Sequence, residues 1–406
     1  MGLLTSDKFA STIAVGTDWR EVAKSVLEQL TAARTDGDGF NIGFIYVSDV
    51  LAEDAESIVN LFRSVLGIED WVGCVGLGVC GCGQGYVDEP ALSAMIGRIP
   101  EGSFKVFPAT LPDMAAAQDC LSSWLENTDT ILTLVHGDPL CDDDPVGVIE
   151  GLSRLTGCFL AGGMVSSRTD HLHFSDVVTA GGVSGVVFSQ NVPVATSLSQ
   201  GCAPIGPVRT ITRCEEQIVM ELDGRPAFDV FSEDLRTMAS SRTGREDHVV
   251  EINAETDDTE EGGDLFRGEV HVAFPVSGTD RQDYLVRNAM GIDPEKGWIA
   301  VAHNISNGDR MMFVHRDDNT VQADLARSLL DLRERIIKER GDFKPQGALY
   351  VSCVARTVSD FGDGPGGEMA LVREIIGDVP LTGFYANGEI SNCRLYGYSS
   401  VLILFF

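Results

Sequence analysis

Gly383-Phe384-Tyr385-Ala386-Asn387-Gly388-Glu389-Ile390 decides how this chain is read. The stretch follows a short apolar run, Val379-Pro380-Leu381-Thr382, that reads as the end of a strand. It sets an amide, a carboxylate and two aromatic rings on one glycine-punctuated turn, where glycine permits positive φ and close backbone approach. Turns at strand ends are where α/β proteins place ligands. Upstream, Cys353-Val354-Ala355-Arg356 closes a second strand, Ala348-Leu349-Tyr350-Val351-Ser352.

Working outward, the order strand, loop, helix, strand, glycine turn occurs three times. The first copy runs from Phe44-Ile45-Tyr46-Val47, through a helix near Ala52 to Leu66, to Trp71-Val72-Gly73-Cys74-Val75. The second runs from Ile131-Leu132-Thr133-Leu134-Val135, through a helix near Val146 to Leu155, to Phe159-Leu160-Ala161-Gly162-Gly163. The third runs from Leu349-Tyr350-Val351, through a helix near Glu368 to Ile376, to Leu381-Thr382-Gly383. Each has the length of a βαβ unit, about 30 residues. Ile58, Leu61, Phe62, Val65 and Leu66 fall on one helical face. The pattern predicts an α/β fold of two related halves, with mixed β-sheets inside, helices outside and repeated βαβ-like units. Two units fall in the N-terminal half and one in the C-terminal half. The expected division is 1–200 and 201–406, with the boundary around Pro193 and Pro204.

Other segments read as more antiparallel. Trp298 to Ile305 and Arg310 to His315 are predicted to form a hairpin across Asn307-Gly308. Gln322 to Arg340 is predicted as a long amphipathic helix with Leu325, Leu329, Leu332 and Ile336 as its core stripe. Glu251 to Gly263 reads as an exposed acidic loop.

A net charge of −31 argues against nucleic-acid binding, which needs Lys and Arg clusters, and against anionic membrane surfaces. No apolar run reaches the roughly 20 residues of a membrane helix, and no basic-then-apolar leader is present. Ten cysteines in 406 residues are too sparse for a disulfide scaffold and read as reduced thiols in a cytoplasmic protein.

At the residues quoted first, the sequence resembles the FIST family of small-ligand sensory domains, found in bacterial signalling proteins and in some eukaryotic F-box proteins. Further segments carry the resemblance: Gln200-Gly201-Cys202-Ala203-Pro204-Ile205-Gly206, Glu221-Leu222-Asp223-Gly224-Arg225-Pro226-Ala227, Asp283-Tyr284-Leu285-Val286-Arg287 with Gly291, and Gly162-Gly163. The two divisions are then a FIST N-like and a FIST C-like domain. The family pattern continues after its G-E-I turn with a longer loop carrying His and Asn, whereas Ser391 to Ser400 is short and has no His. The resemblance implies a non-enzymatic sensor that signals through a separate partner, such as a histidine kinase or a cyclic-nucleotide enzyme.

The expected ligand-binding residues are Cys353, Arg356, Phe384, Tyr385, Asn387 and Glu389, with Arg287 as a second carboxylate candidate. Arg356 would hold a carboxylate bidentately. Glu389 would accept from an amine, and Asn387 would do both, a set suited to an amino-acid-like zwitterion. An alternative reading is a haem-binding gas sensor, since some FIST proteins resemble haem-based nitric-oxide sensors. His303 shares an apolar strand face with Ile299, Val301 and Ile305, and is predicted to meet Met312 across the hairpin, a pair able to ligate haem. His136, at a strand end, is the rival ligand. A second alternative is a cysteine-dependent enzyme in which Arg356 favours the Cys353 thiolate, or an interaction scaffold without a ligand. Gly76-Leu77-Gly78-Val79-Cys80-Gly81 spells G-x-G-x-x-G, but no helix start follows, so a glycine turn is expected there rather than a dinucleotide site. Cys74, Cys80 and Cys82 include a C-x-C pair able to bind a soft metal but lack an obvious fourth ligand. His171 and His173, whose alternation on a strand is compatible with a metal, read as a polar strand face, so no metal site is favoured.

Overall fold

A computed structural model describes residues 2–34, 39–140, 144–243, 270–276, 283–356 and 367–406. The expected acidic loop, Glu251 to Gly263, lies outside the described residues. The chain forms two compact units, Met1–Gln200 with Gln322–Phe406, and Gly201–Val321. A single cut into 1–200 and 201–406 is therefore not how the residues group. The strand Ser400–Phe405 lies between Val194–Ser199 and Gly347–Cys353 and pairs with both, which ties the last stretch of chain to the first.

The three repeats are the frame of the larger unit. In each, two parallel strands are joined through a helix. Ile42–Ser48 pairs with Asp70–Gly76 across Ala55–Leu66. Thr130–Gly137 pairs with Phe159–Met164 across Pro145–Thr156. Gly347–Cys353 pairs with Leu381–Ala386 across Gly367–Ile376. An antiparallel strand flanks the first strand of each pair: Ala91–Gly97, Val183–Ser189 and Ser400–Phe405 respectively. Helix ends follow local chemistry. Asp18 caps Trp19–Ala32, its Oδ1 accepting from the Arg20 and Glu21 amides at 2.8 and 3.1 Å. Gly67 and Gly157 end their helices in the left-handed conformation.

Each repeat also lends a hairpin to a neighbour. Gly78–Gly81 with Gln84–Val87, from the first repeat, pairs with Leu381–Ala386 of the third. Leu172–Ser175 with Val177–Ala180, from the second, pairs with Asp70–Gly76 of the first. Glu389–Ser391 with Arg394–Tyr396, from the third, pairs with Phe159–Met164 of the second. The exchange closes a cycle, so each sheet is completed by strands from another repeat.

One steric requirement recurs in all three copies. Gly73, Gly162 and Gly383 stand opposite Ile45, Val135 and Tyr350 in the parallel pairs. A Cβ at these glycines would lie 1.7, 1.9 and 1.8 Å from the carbonyl oxygen of the facing residue. Only glycine fits such an approach. The predicted long helix forms as Asp318–Arg340, and Leu325, Leu329, Leu332 and Ile336 are buried with Tyr350, Met369 and Val372.

The smaller unit is antiparallel, and one expectation fails there. Trp298–Val301 pairs with Ile218–Leu222 and Ala289–Asp293, whereas Arg310–His315 pairs with Val270–Pro275 and Arg209–Glu215. The Asn307-Gly308 turn forms, with Gly308 at φ +98°, yet the chain leaves the strand after Val301 and no hairpin joins the two segments. Asn307 Oδ1 accepts instead from the Cys214 amide at 2.9 Å. Long-range strand pairing here outweighs the local turn signal.

Candidate functional site

The sheets of the larger unit meet through three rings, one from each repeat. Tyr46 stacks on Phe384 with centroids 5.1 Å apart, and His136 lies 5.5 Å from Tyr46 and 5.8 Å from Phe384. The Tyr46 hydroxyl and His136 Nε2 are hydrogen-bonded at 3.1 Å, while His136 Nδ1 is buried without a partner among the described residues. Burial, with a smaller contribution from His173, holds the His136 imidazole neutral, its pKa lowered to about 3. His173 is similarly lowered to about 4, chiefly by burial, and bonds Ser184 Oγ at 2.6 Å and the Gly181 carbonyl at 3.0 Å.

A second buried cluster lies where Gly347–Cys353 ends. Arg356 sits in a single 3-10 turn after that strand, and Glu368 in the first turn of Gly367–Ile376. A carboxylate is favoured in a helix's first turn. Arg356 Nε donates to Glu368 Oε1 at 2.8 Å, and its Nη1 donates to the Tyr398 carbonyl at 3.3 Å. Glu368 also accepts from the Tyr350 hydroxyl at 2.9 Å and from Ser352 Oγ at 2.7 Å. The guanidinium expected to wait for a ligand carboxylate thus already holds an internal one. Burial disfavours its charge, and Glu368, with Tyr350 and Glu389, offsets that cost.

Glu389 completes the cluster. It opens the strand Glu389–Ser391 and has no solvent exposure. Its Oε2 accepts from the Ser399 amide at 3.0 Å and from Ser399 Oγ at 2.6 Å. Its Oε1 makes no hydrogen bond of ordinary geometry, though the Cys353 thiol adds a weak interaction to the carboxylate. Burial raises its pKa to about 8 against the pull of Ser399 and Arg356. The Cys353 amide donates to the Ser399 carbonyl at 3.0 Å, which holds both residues beside the carboxylate.

The predicted residues therefore separate. Cys353, Arg356, Tyr385 and Glu389 are electrostatic neighbours in the cluster. Phe384, next in sequence to Tyr385, belongs to the three-ring centre, because side chains alternate along Leu381–Ala386. Asn387 is exposed, and its amide donates to the Met164 carbonyl at 3.0 Å. Arg287 belongs to the smaller unit and its Nη1 donates to the Val286 carbonyl at 2.8 Å. Three partners were missed: Glu368, Ser399 and Tyr46. Glu368 had a signal, an acidic residue opening a predicted helix beyond C-x-x-R. Ser399 had none, because its position depends on the exchanged hairpin.

The thiol and haem expectations meet physical obstacles. Burial, followed by the nearness of Glu389, pushes the Cys353 pKa up to about 12, so Arg356 does not secure a thiolate. Met312 is the register partner of Ala273, and the ring of His303 packs 4.4 Å from that of Phe274. Residues 273 and 274 point to opposite faces. His303 and Met312 are thus on opposite faces and do not form an axial pair. His136 is enclosed by the Tyr46 and Phe384 rings, and a macrocycle could not reach it without displacing them.

The G-x-G-x-x-G run continues as the strand Gly78–Gly81, and two of its glycines, Gly76 and Gly78, lie against aromatic rings. A Cβ at Gly76 would lie 3.2 Å from the Phe384 side chain, and one at Gly78 would lie 3.0 Å from Tyr385. Gly85 likewise leaves room for the Tyr385 hydroxyl, 2.1 Å from where its Cβ would stand. Among the described residues no group of three His, Cys, Asp or Glu side chains is placed to hold a metal ion. No helix of the described residues is long and apolar enough to cross a membrane.

Comparison with known proteins places this architecture. An uncharacterized protein of Mycobacterium bovis is 24% identical over 397 residues, covering 95% of this chain and 96% of that protein. An uncharacterized protein of Mycobacterium tuberculosis is 27% identical over 346 residues, covering 82% and 83%. The solved structure titled T. maritima PurL complexed with FGAR aligns with 10% identity and a TM-score of 0.21, over 100% of this chain and 74% of that one, a likeness too low to carry any argument. The FIST N domain model matches residues 41–225 and the FIST C domain model residues 227–392. With both domains matched along most of its length, the chain belongs to the FIST family of sensory, ligand-binding signalling domains.

Proposed function

We propose that this protein is a receptor for an amino-acid-like metabolite and passes its signal to a separate protein, such as a histidine kinase or a cyclic-nucleotide enzyme. The observation that supports this reading is Glu389, a fully buried carboxyl group with one oxygen bonded to Ser399 and the other without an ordinary hydrogen bond. An ammonium group meeting that oxygen would satisfy it and favour the ionised carboxylate. Arg356, within the same cluster, would share its guanidinium between Glu368 and a ligand carboxylate, since five donors in a planar fork can serve two acceptors. Cys353 then acts as a neutral packing group and not as a nucleophile.

The test is a thermal-shift screen of the full chain against the twenty amino acids. At least one should stabilise it, by about 2.7 kcal/mol at a hundredfold excess over its Kd. Glu389→Gln keeps the side-chain shape and should abolish the shift while the protein stays folded. No stabilisation by any amino acid, or a shift unchanged in both Glu389→Gln and Arg356→Lys, would overturn the reading.

A further inference from the structure

Away from the buried clusters, an open groove of about 650 Å³ runs between the helices Trp19–Ala32 and Ala55–Leu66. Arg20, Lys24 and Leu27 line it from the first helix at i, i+4 and i+7, and Leu61 and Val65 from the second at i and i+4, with Trp19 beside them. Val65 is 51% exposed, although Ile58, Val59, Phe62 and Leu66 of the same helix are buried. Two adjacent helices offering an apolar trough between them have the shape that receives a third helix.

Charge narrows the occupant. The chain carries 61 acidic against 30 basic residues, yet the lining of this groove holds two cations, Arg20 and Lys24, against one carboxylate, Glu28. Arg20 has no ion pair among the described residues, and its guanidinium lies 4.5 Å over the Trp19 ring. Lys24 is paired only loosely with Glu28, at 3.7 Å with both side chains largely exposed. An exposed pair of that kind contributes little and is readily exchanged. A second copy of a chain at −31 would be repelled over most of its surface.

We propose that this groove docks an amphipathic helix from a separate protein, with apolar anchors at i, i+4 and i+7 set against Leu27, Leu61 and Val65, and an acidic residue meeting Arg20 and Lys24. The proposal is independent of which small molecule the buried cluster takes.

The probe is a labelled synthetic helical peptide of about 18 residues, five turns, with leucine anchors in that spacing and glutamates flanking them. Its control has lysine for every glutamate. Binding to the full chain is followed by fluorescence anisotropy. The acidic peptide should bind saturably and more weakly as salt rises. Val65→Asp, at an exposed position, should weaken it by roughly tenfold or more, and Arg20→Glu should shift preference towards the lysine peptide. Circular dichroism of each variant separates these losses from unfolding. Absence of saturable binding, equal binding of the two peptides, or indifference to Val65→Asp would overturn the proposal. A concentration-dependent dimer that Val65→Asp abolishes would overturn it in favour of a second copy.

Discussion

Glu389 and His136 flank Gly163 in one row across three strands, Gly163 being the register partner of each. Register partners project to the same face of a sheet. Each of the two side chains keeps one buried polar atom without an ordinary hydrogen bond, Oε1 of Glu389 and Nδ1 of His136. The space over Gly163 is taken by Val351 and Ala386, whose side chains lie 2.7 and 2.9 Å from where a Cβ would stand. An acid and a base thus share one packed layer. Burial drives both towards their neutral forms by opposite shifts of pKa.

These shifts predict the pH dependence of stability. Glu389 holds its proton in the folded state up to about 8, whereas the unfolded group releases it near its ordinary value. Its contribution is fully present in acid and is lost as pH rises towards 8. His136 and His173, lowered to about 3 and 4, act in the other direction, and their contribution is lost as pH falls below the ordinary histidine range. Together the three groups give a maximum near the ordinary histidine pKa. Urea denaturation at a series of pH values should show it, and Glu389→Gln should flatten the alkaline limb. An alkaline limb unchanged in that variant would contradict the assignment.

Arg356 and Glu368 should behave as one unit. Arg356→Met or Glu368→Gln alone leaves a buried group uncompensated and should cost about 3–5 kcal/mol. The double variant Arg356→Met with Glu368→Gln should cost clearly less than the two singles together. Chemical denaturation of all four proteins closes the cycle, and additive losses would show that the pair is not coupled.

Tyr46→Phe tests the three-ring centre. It keeps the ring contact with Phe384 but leaves the second nitrogen of His136 without its bond. The expected loss is about 1–3 kcal/mol. Phe384→Ala should cost more, about 3–5 kcal/mol, because a large buried ring is deleted from the junction of three repeats. Equal, negligible losses in both would show that the centre does not hold the repeats together.

Gly73→Ala, Gly162→Ala and Gly383→Ala should fail alike. Each methyl would overlap a carbonyl oxygen across a parallel pair, and no side-chain movement relieves it. Gly67→Ala is the contrast: it is strained by its positive φ of 61° but meets no atom within 4 Å, so a loss of about 1 kcal/mol is expected. Soluble yield and melting temperature of the four variants check this. A stable, soluble Gly162→Ala protein would remove the argument that the repeats share one steric requirement.

The repeats and their helices were legible in the sequence by itself, because periodicity acts over a few residues, whereas Gly162 and Gly383, expected in turns at strand ends, lie within the strands Phe159–Met164 and Leu381–Ala386. Leu325, Leu329, Leu332 and Ile336 lie on one buried stripe as their spacing demands. The recurrent glycine was visible as Gly73, Gly162 and Gly383 before its cause was. Tertiary structure alone decided which strands meet. Nothing local to Glu389 says that its hairpin joins the second repeat, yet that exchange brings it opposite Gly163. Arg356 was expected to hold a ligand carboxylate, and its internal partner Glu368 was not foreseen, since several carboxylates could meet it and packing selects one. The expected contact of His303 with Met312 failed for the same reason: a turn signal acts locally, whereas the pairing of Trp298–Val301 is set by strands distant in the chain.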